Sequence, residues 1–127
     1  MQFPLFIEMW VKKKRRYTIA LNQYRNWMYI VSNNVKKEYK KLVEKQTEGW
    51  EKLNTPIKIT FTYYNPTKRK SDLENFCTIH NKFLQDALVE LWLLEDDNYE
   101  YVTNIEYVYW GYKAKDGRVE VEIKQNN

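Results

Sequence analysis

The sequence predicts an α/β fold: a single domain over residues 1–127, with a mixed β-sheet of about four strands and two main helices in the order β-α-β-α-β-β. Three observations predict it. Two long segments repeat apolar residues at three- and four-residue steps, and four shorter ones alternate or run apolar at strand length. The 127 residues suffice for one core, and neither a repeat nor a low-complexity linker divides them.

Phe3 to Trp10 reads as the first strand, and the charged block Lys12 to Arg16 as an exposed loop. Asn22 is a candidate cap for a helix from Gln23 to about Gln46, whose apolar stripe is Tyr24, Trp27, Met28, Val31, Val35, Tyr39, Leu42 and Val43. Gly49 and Asn54-Thr55-Pro56 end it. Ile57 to Tyr64 alternates Ile57, Ile59, Phe61 and Tyr63 against polar neighbours, the pattern of a strand with one buried face. Asn65-Pro66 opens a loop. Ser71 begins a second helix with the stripe Phe76, Ile79, Phe83, Ala87, Leu88 and Leu91, ending near Leu94. Glu95 to Asn98 is an acidic loop. Tyr101 to Tyr112 is an aromatic-rich strand, Asp116-Gly117 a hairpin turn, and Arg118 to Lys124 the returning strand.

Aromatic residues make up 17% of a chain whose mean hydropathy is −0.79, so aromatics carry much of the core. No apolar run approaches the roughly 20 residues that span a bilayer, and Met1 to Trp10 has neither a basic leader nor a small-residue cleavage site; neither a membrane partner nor a signal peptide is expected. The single cysteine, Cys77, excludes an intrachain disulfide framework, suits a reducing cytoplasm, and lies among apolar neighbours as an inert thiol would.

Net charge is +4, and the cations are clustered: Lys12, Lys13, Lys14, Arg15 and Arg16; then Lys36, Lys37, Lys40, Lys41 and Lys45; then Lys68, Arg69 and Lys70. One such cluster is as readily a solvated surface as a binding site. Three around an acidic centre point to nucleic acid, because each cation that reaches a phosphate releases a counterion.

The acidic centre has two parts, Asp72 and Glu74 at the start of the second helix, and Asp96 and Asp97 beyond its end. Carboxylates are the hard oxygen ligands that a phosphodiester-cutting Mg²⁺ needs. Each part also has a plain structural reading. Ser71-x-x-Glu74 matches a capping box, Asp72 complements the helix dipole, and Asp96-Asp97 is a common turn. The intervening helix spans roughly 30 Å, so its two ends meet only through the fold or across a dimer. Asn75, Lys82 and Asp86 share one polar helix face within about 40°, as a solvated Lys82–Asp86 pair or as the lining of a cleft. His80, the only histidine, sits beside the apolar stripe, where a structural role is more natural than general-base work.

Taken as a series, Arg69-x-x-Asp72-Leu73-Glu74-Asn75, Lys82, Asp86-Ala87-Leu88 and Glu95-Asp96-Asp97-Asn98 resemble the RusA family of Holliday junction resolvases. Members of that family carry D-x-D-N at a helix start, a lysine within the helix, a D-A-L or D-G-L step and a D-D pair beyond. The resemblance is strong from Lys68 to Val102 and weaker over Asn22 to Trp27 and the last two strands. It implies a homodimeric endodeoxyribonuclease of phage or prophage type, in the cytoplasm of a bacterial or phage-infected cell. The implied activity is paired symmetric nicking of branched DNA, a four-way junction, with Mg²⁺ as cofactor and Mn²⁺ as a substitute. Asp72, Glu74 and Asp97 then match the metal-binding carboxylates and Lys82 the catalytic lysine, with Asp96 and Asn75 in support. Lys13, Lys14, Arg15, Arg16, Lys68, Arg69 and Lys70 would hold DNA. Two departures stand out: Glu74 replaces an aspartate, and the step from Asn75 to Lys82 is longer by about one helical turn. The alternatives are a DNA-binding module without catalysis, and a nuclease of other branched DNA.

Overall fold

The computed structural model describes residues 1–10, 14–68, 70 and 73–126. Its elements are Gln2–Pro4 (β1), Phe6–Trp10 (β2), Lys14–Thr18 (β3), Leu21–Asn26 (α1), Tyr29–Gln46 (α2), Ile57–Asn65 (β4), Leu73–Glu90 (α3), Val102–Tyr112 (β5) and Arg118–Lys124 (β6). They form an α/β fold in which a four-stranded mixed sheet, ordered β1-β6-β4-β5, is joined by a β2–β3 ribbon and two long helices.

β4 organises the sheet. It pairs in parallel with β5 and antiparallel with β6, and its alternation buries Ile57, Ile59, Phe61 and Tyr63 against the helices. α3 connects the two parallel strands, so it runs back antiparallel to both. Its amino end therefore lies at the carboxyl end of β4, where Phe76 stacks on Tyr63 at 4.7 Å. Its carboxyl end lies by the strand starts, where the Leu53 amide donates to the Leu93 carbonyl at 2.9 Å.

Several local expectations are corrected. Lys14–Thr18 is a strand rather than loop: Tyr17 pairs with Ile7 and Arg16 with Glu8, and a Lys14–Glu8 ion pair of 2.8 Å spans the ribbon. The first long helix is two. Trp27 turns extended to pack edge-on to Tyr17 and Tyr24, and Met28, expected in the core stripe, is 72% exposed as it leads into α2. Asn22 lies inside α1, whose cap is Ala20. α3 stops at Glu90, and Trp92 takes a φ of 64° as the Leu93 and Leu94 amides fold back to the Leu88 carbonyl. Ser71, the expected cap of α3, lies outside the described residues.

β5 and β6 do not form the expected hairpin, because β4 lies between them. Residues 113–117 instead cross the end of β4, held by the Lys113 amide on the Asn65 carbonyl at 2.8 Å. The crossing is close enough that a Cβ on Gly117 would lie 2.6 Å from Pro66 Cγ. On the outer sheet face Arg118 locks it, bonding Asp116 at 2.6 Å and Glu120 at 3.0 Å and lying 3.9 Å over the Tyr64 ring.

Between α2 and α3, Tyr39 stacks on Phe3 at 4.6 Å and packs edge-on to Phe83. Its hydroxyl shares a 2.9 Å hydrogen bond with His80 Nδ1. His80 is fully buried, and its Nε2 has no hydrogen-bond partner among the described residues. Burial pushes its pKa down to about 3 and that of the buried Cys77 thiol up to about 12.

Two outcomes follow from this packing. Gly117→Ala forces a methyl group onto the rigid Pro66 ring, and urea unfolding should show a loss of about 1–3 kcal/mol. For His80 the folded group takes up a proton only near pH 3, whereas the unfolded group does so near 6.5. Between those values the unfolded chain binds more protons, so stability falls on acidification from 6.5 toward 3, by up to about 1.4 kcal/mol per pH unit. Unfolding curves of His80→Gln across that range should lack this component.

Candidate functional site

The carboxyl end of β4 forms a cleft of about 550 Å³ lined by Arg16, Thr18, Tyr63, Asn65, Phe76 and Lys115 among others. The first turn of α3 brings Phe76, and three other parts of the chain complete the lining. β3 brings Arg16 and Thr18, the β4 terminus brings Tyr63 and the buried Asn65, and the crossing segment brings Lys115. Asn65 Oδ1 accepts the Thr67 amide at 3.1 Å, which shapes the turn out of the strand. The floor is aromatic and the rim is polar and cationic.

Basic residues gather at this end. Lys14, Arg15 and Arg16 are exposed on β3, Lys70 is exposed just before α3, and Lys68 lies 5.6 Å from the centre of the Tyr112 ring at the end of β5. The expected DNA contacts Lys13 and Arg69 lie outside the described residues. The α2 cluster is partly committed elsewhere: Lys36 pairs with Asp86 at 2.9 Å and Lys40 with Glu90 at 3.2 Å, tying α2 to α3.

The acidic residues divide. Glu74 is exposed in the first turn of α3, beside the basic end of the molecule. Asn75 Oδ1 accepts the Asn22 amide at 3.0 Å and so joins α1 to α3. Asp72 lies outside the described residues. Asp97 is exposed in the loop after α3, where Asp96 shapes the turn, accepting the Asp97 amide at 2.7 Å and the Asn98 side-chain amide at 3.1 Å. Glu95 in the same loop pairs with Lys52. Glu74 and Glu90 alone are about 24 Å apart along the α3 axis. The loop does not return, because the Val102 amide bonds the Asn98 carbonyl at 2.9 Å and β5 starts there. One chain therefore holds Glu74 and Asp97 at opposite ends of α3, and among the described residues no three His, Cys, Asp or Glu side chains gather as a metal site.

Lys82 is exposed about two turns along α3 from Glu74. The Lys82–Asp86 pairing does not form, since Lys36 takes Asp86. The sequence reading missed Lys115 and the Tyr64, Arg118 and Glu120 group. The outward alternation of β6 signals that Arg118 and Glu120 share a face, but their partner Tyr64 is visible only once the strand order is known. No known family model and no curated protein matches the chain.

Proposed function

We propose that the protein is a Mg²⁺-dependent, structure-specific DNA endonuclease that resolves four-way junctions by paired symmetric nicks. The observation that supports this reading best is the cleft that gathers Arg16 and Lys115 beside Phe76 in the first turn of α3, with Lys68 and Lys70 in the segment that leads into that helix, so that cationic charge lies at the end of α3 that carries Glu74. Asp72, Glu74 and Asp97 are its metal carboxylates, and a Mg²⁺ ion held by them would act as a Lewis acid and lower the pKa of a bound water. Because one chain separates Glu74 from Asp97, this trio requires a second chain. Lys82 supports negative charge at the phosphate from the exposed side of α3. The cations of β3 and of the 68–70 segment hold the DNA arms, and a two-fold dimer matches a substrate cut symmetrically on opposing strands.

A second reading, a DNA-binding module without catalysis, is favoured by the same separation of Glu74 and Asp97. In that case the carboxylates serve only a helix start and a turn. Nicking of a synthetic four-way junction with and without Mg²⁺ separates the two. The nuclease reading expects metal-dependent cutting that falls roughly a hundredfold or more in folded Asp72→Asn and Asp97→Asn proteins. Metal-independent junction binding with no cutting by the wild type establishes the module instead. In either case Lys68→Ala should weaken binding and reduce the slope of log affinity against log salt by about 0.9.

A further inference from the structure

The outer face of the sheet, away from the helices, ends in an exposed aromatic group that takes no part in the proposed cutting site. Trp110 of β5 is 56% exposed, and its ring lies 4.9 Å from that of Tyr64 on β4 at a tilt of 31°. Tyr64 is itself buried and fixed: its hydroxyl donates to Glu120 Oε2 at 2.8 Å, and Arg118 lies 3.9 Å over its ring. The indole is thus braced against an immobile ring while its own surface stays in water. Two residues on, about 7 Å along the strand, Tyr112 is 44% exposed. Each of these exposed rings has a lysine within cation–π range, Lys113 Nζ at 5.8 Å from Trp110 and Lys68 Nζ at 5.6 Å from Tyr112. The carboxylates that meet this group, Asp116 and Glu120, are both bonded to Arg118, and Asp116 also meets Lys113 at 3.5 Å. Glu106 and Glu122, farther back on the outer face, flank Thr60, about 13 Å along β4 from Tyr64.

We propose that Trp110 and Tyr112, with Lys113 and Lys68, form a binding site for an unpaired stretch of DNA, separate from the carboxylates. An exposed indole held in place offers a π-face that accepts any base, and a neighbouring lysine takes the adjoining phosphate. Because Tyr64, Arg118 and Glu120 already fix the surroundings of the indole, little side-chain freedom is left to lose on binding. Duplex DNA does not suit such a ring, since its bases are stacked on one another and show only their edges in the grooves. The occupant is therefore a strand with free base faces, at a branch or on a single-stranded tail. Charge sets its path. Lys68, Lys113 and Arg118 stand at the rings, whereas Glu106 and Glu122 disfavour phosphate farther back. The strand crosses the finish of β4 and β5 rather than running down the sheet. Lys68 and Lys70, the proposed contacts for the duplex arms, belong to the same end of the molecule. The site rests on the DNA-binding part of the function proposed above and not on cutting.

Fluorescence anisotropy of the full chain without metal, with a labelled oligothymidylate of about ten nucleotides, tests the site. Trp110→Ala should weaken binding about tenfold or more and Tyr112→Ala about fivefold or more, whereas Trp110→Phe, which keeps a ring, should cost no more than about threefold. Affinity for a blunt duplex should stay within about twofold in all three. Lys113→Ala should reduce the slope of log affinity against log salt for the oligomer by about 0.7. The proposal is overturned if Trp110→Ala binds the oligomer as wild type does, or if duplex affinity falls in step with it. An abasic oligomer of the same length that binds as tightly as oligothymidylate overturns it too, because phosphate alone then accounts for binding. Oligouridylate binding about tenfold tighter assigns the face to RNA and overturns the assignment to DNA. A wild type that binds oligothymidylate through Trp110 but never nicks a junction keeps this site and removes the nuclease reading. A wild type that nicks while Trp110→Ala binds unchanged removes this site alone.

Discussion

Everything else in the molecule is placed by the double pairing of β4. A central strand with a parallel neighbour on one side and an antiparallel neighbour on the other must be reached by two different connections. The parallel pair demands a crossover, which α3 supplies. The antiparallel partner must then cross the end of β4, which forces residues 113–117 against Pro66 and leaves no room for a side chain at Gly117. The cleft at that end is a by-product of these demands. It forms where the strand stops, the crossover helix begins and the crossing segment passes, so a cationic rim assembles from residues far apart in the chain.

The second helix layer is held by different forces. Tyr39 and His80 bury a hydrogen-bonded polar pair within aromatic packing, while Lys36 and Lys40 meet Asp86 and Glu90 at the half-exposed rim. Ion pairs at such exposure contribute little energy individually. Their effect is on register, because a slide of α2 along α3 breaks both at once. The buried pair acts in the same direction and more strongly, since any misalignment leaves a phenol and an imidazole without partners.

How much of this was legible in the sequence depends on the range of the cause. The alternation in β4 and β6 and the stripes of α2 and α3 record one-sided burial, which repeats within a few residues. The β2–β3 ribbon escaped because three consecutive charges at 14–16 carry no alternation, and all three residues are exposed even though their backbone pairs with β2. The break at Trp27 has no glycine or proline to announce it. Asp116-Gly117 is a genuine local turn signal, but which strands flank it in space is a matter of sheet order. For the candidate site, the two acidic groups and their separation by a helix could be read directly from residue spacing. The association of Arg16 and Lys115 with the start of α3 could not, because it depends on three connections folding to one end.

The two borders of the sheet are unequal. β1, at one border, is three residues long, and β5, at the other, is eleven. A molecule built this way has room for one lateral neighbour and little footing for another, so growth by strand addition is self-limiting. Aromatic, proline-free edges in general invite open-ended stacking into fibres. Among the described residues the four-stranded sheet carries such an edge at β5 alone, because β1 at the opposite border is three residues long and ends on a proline.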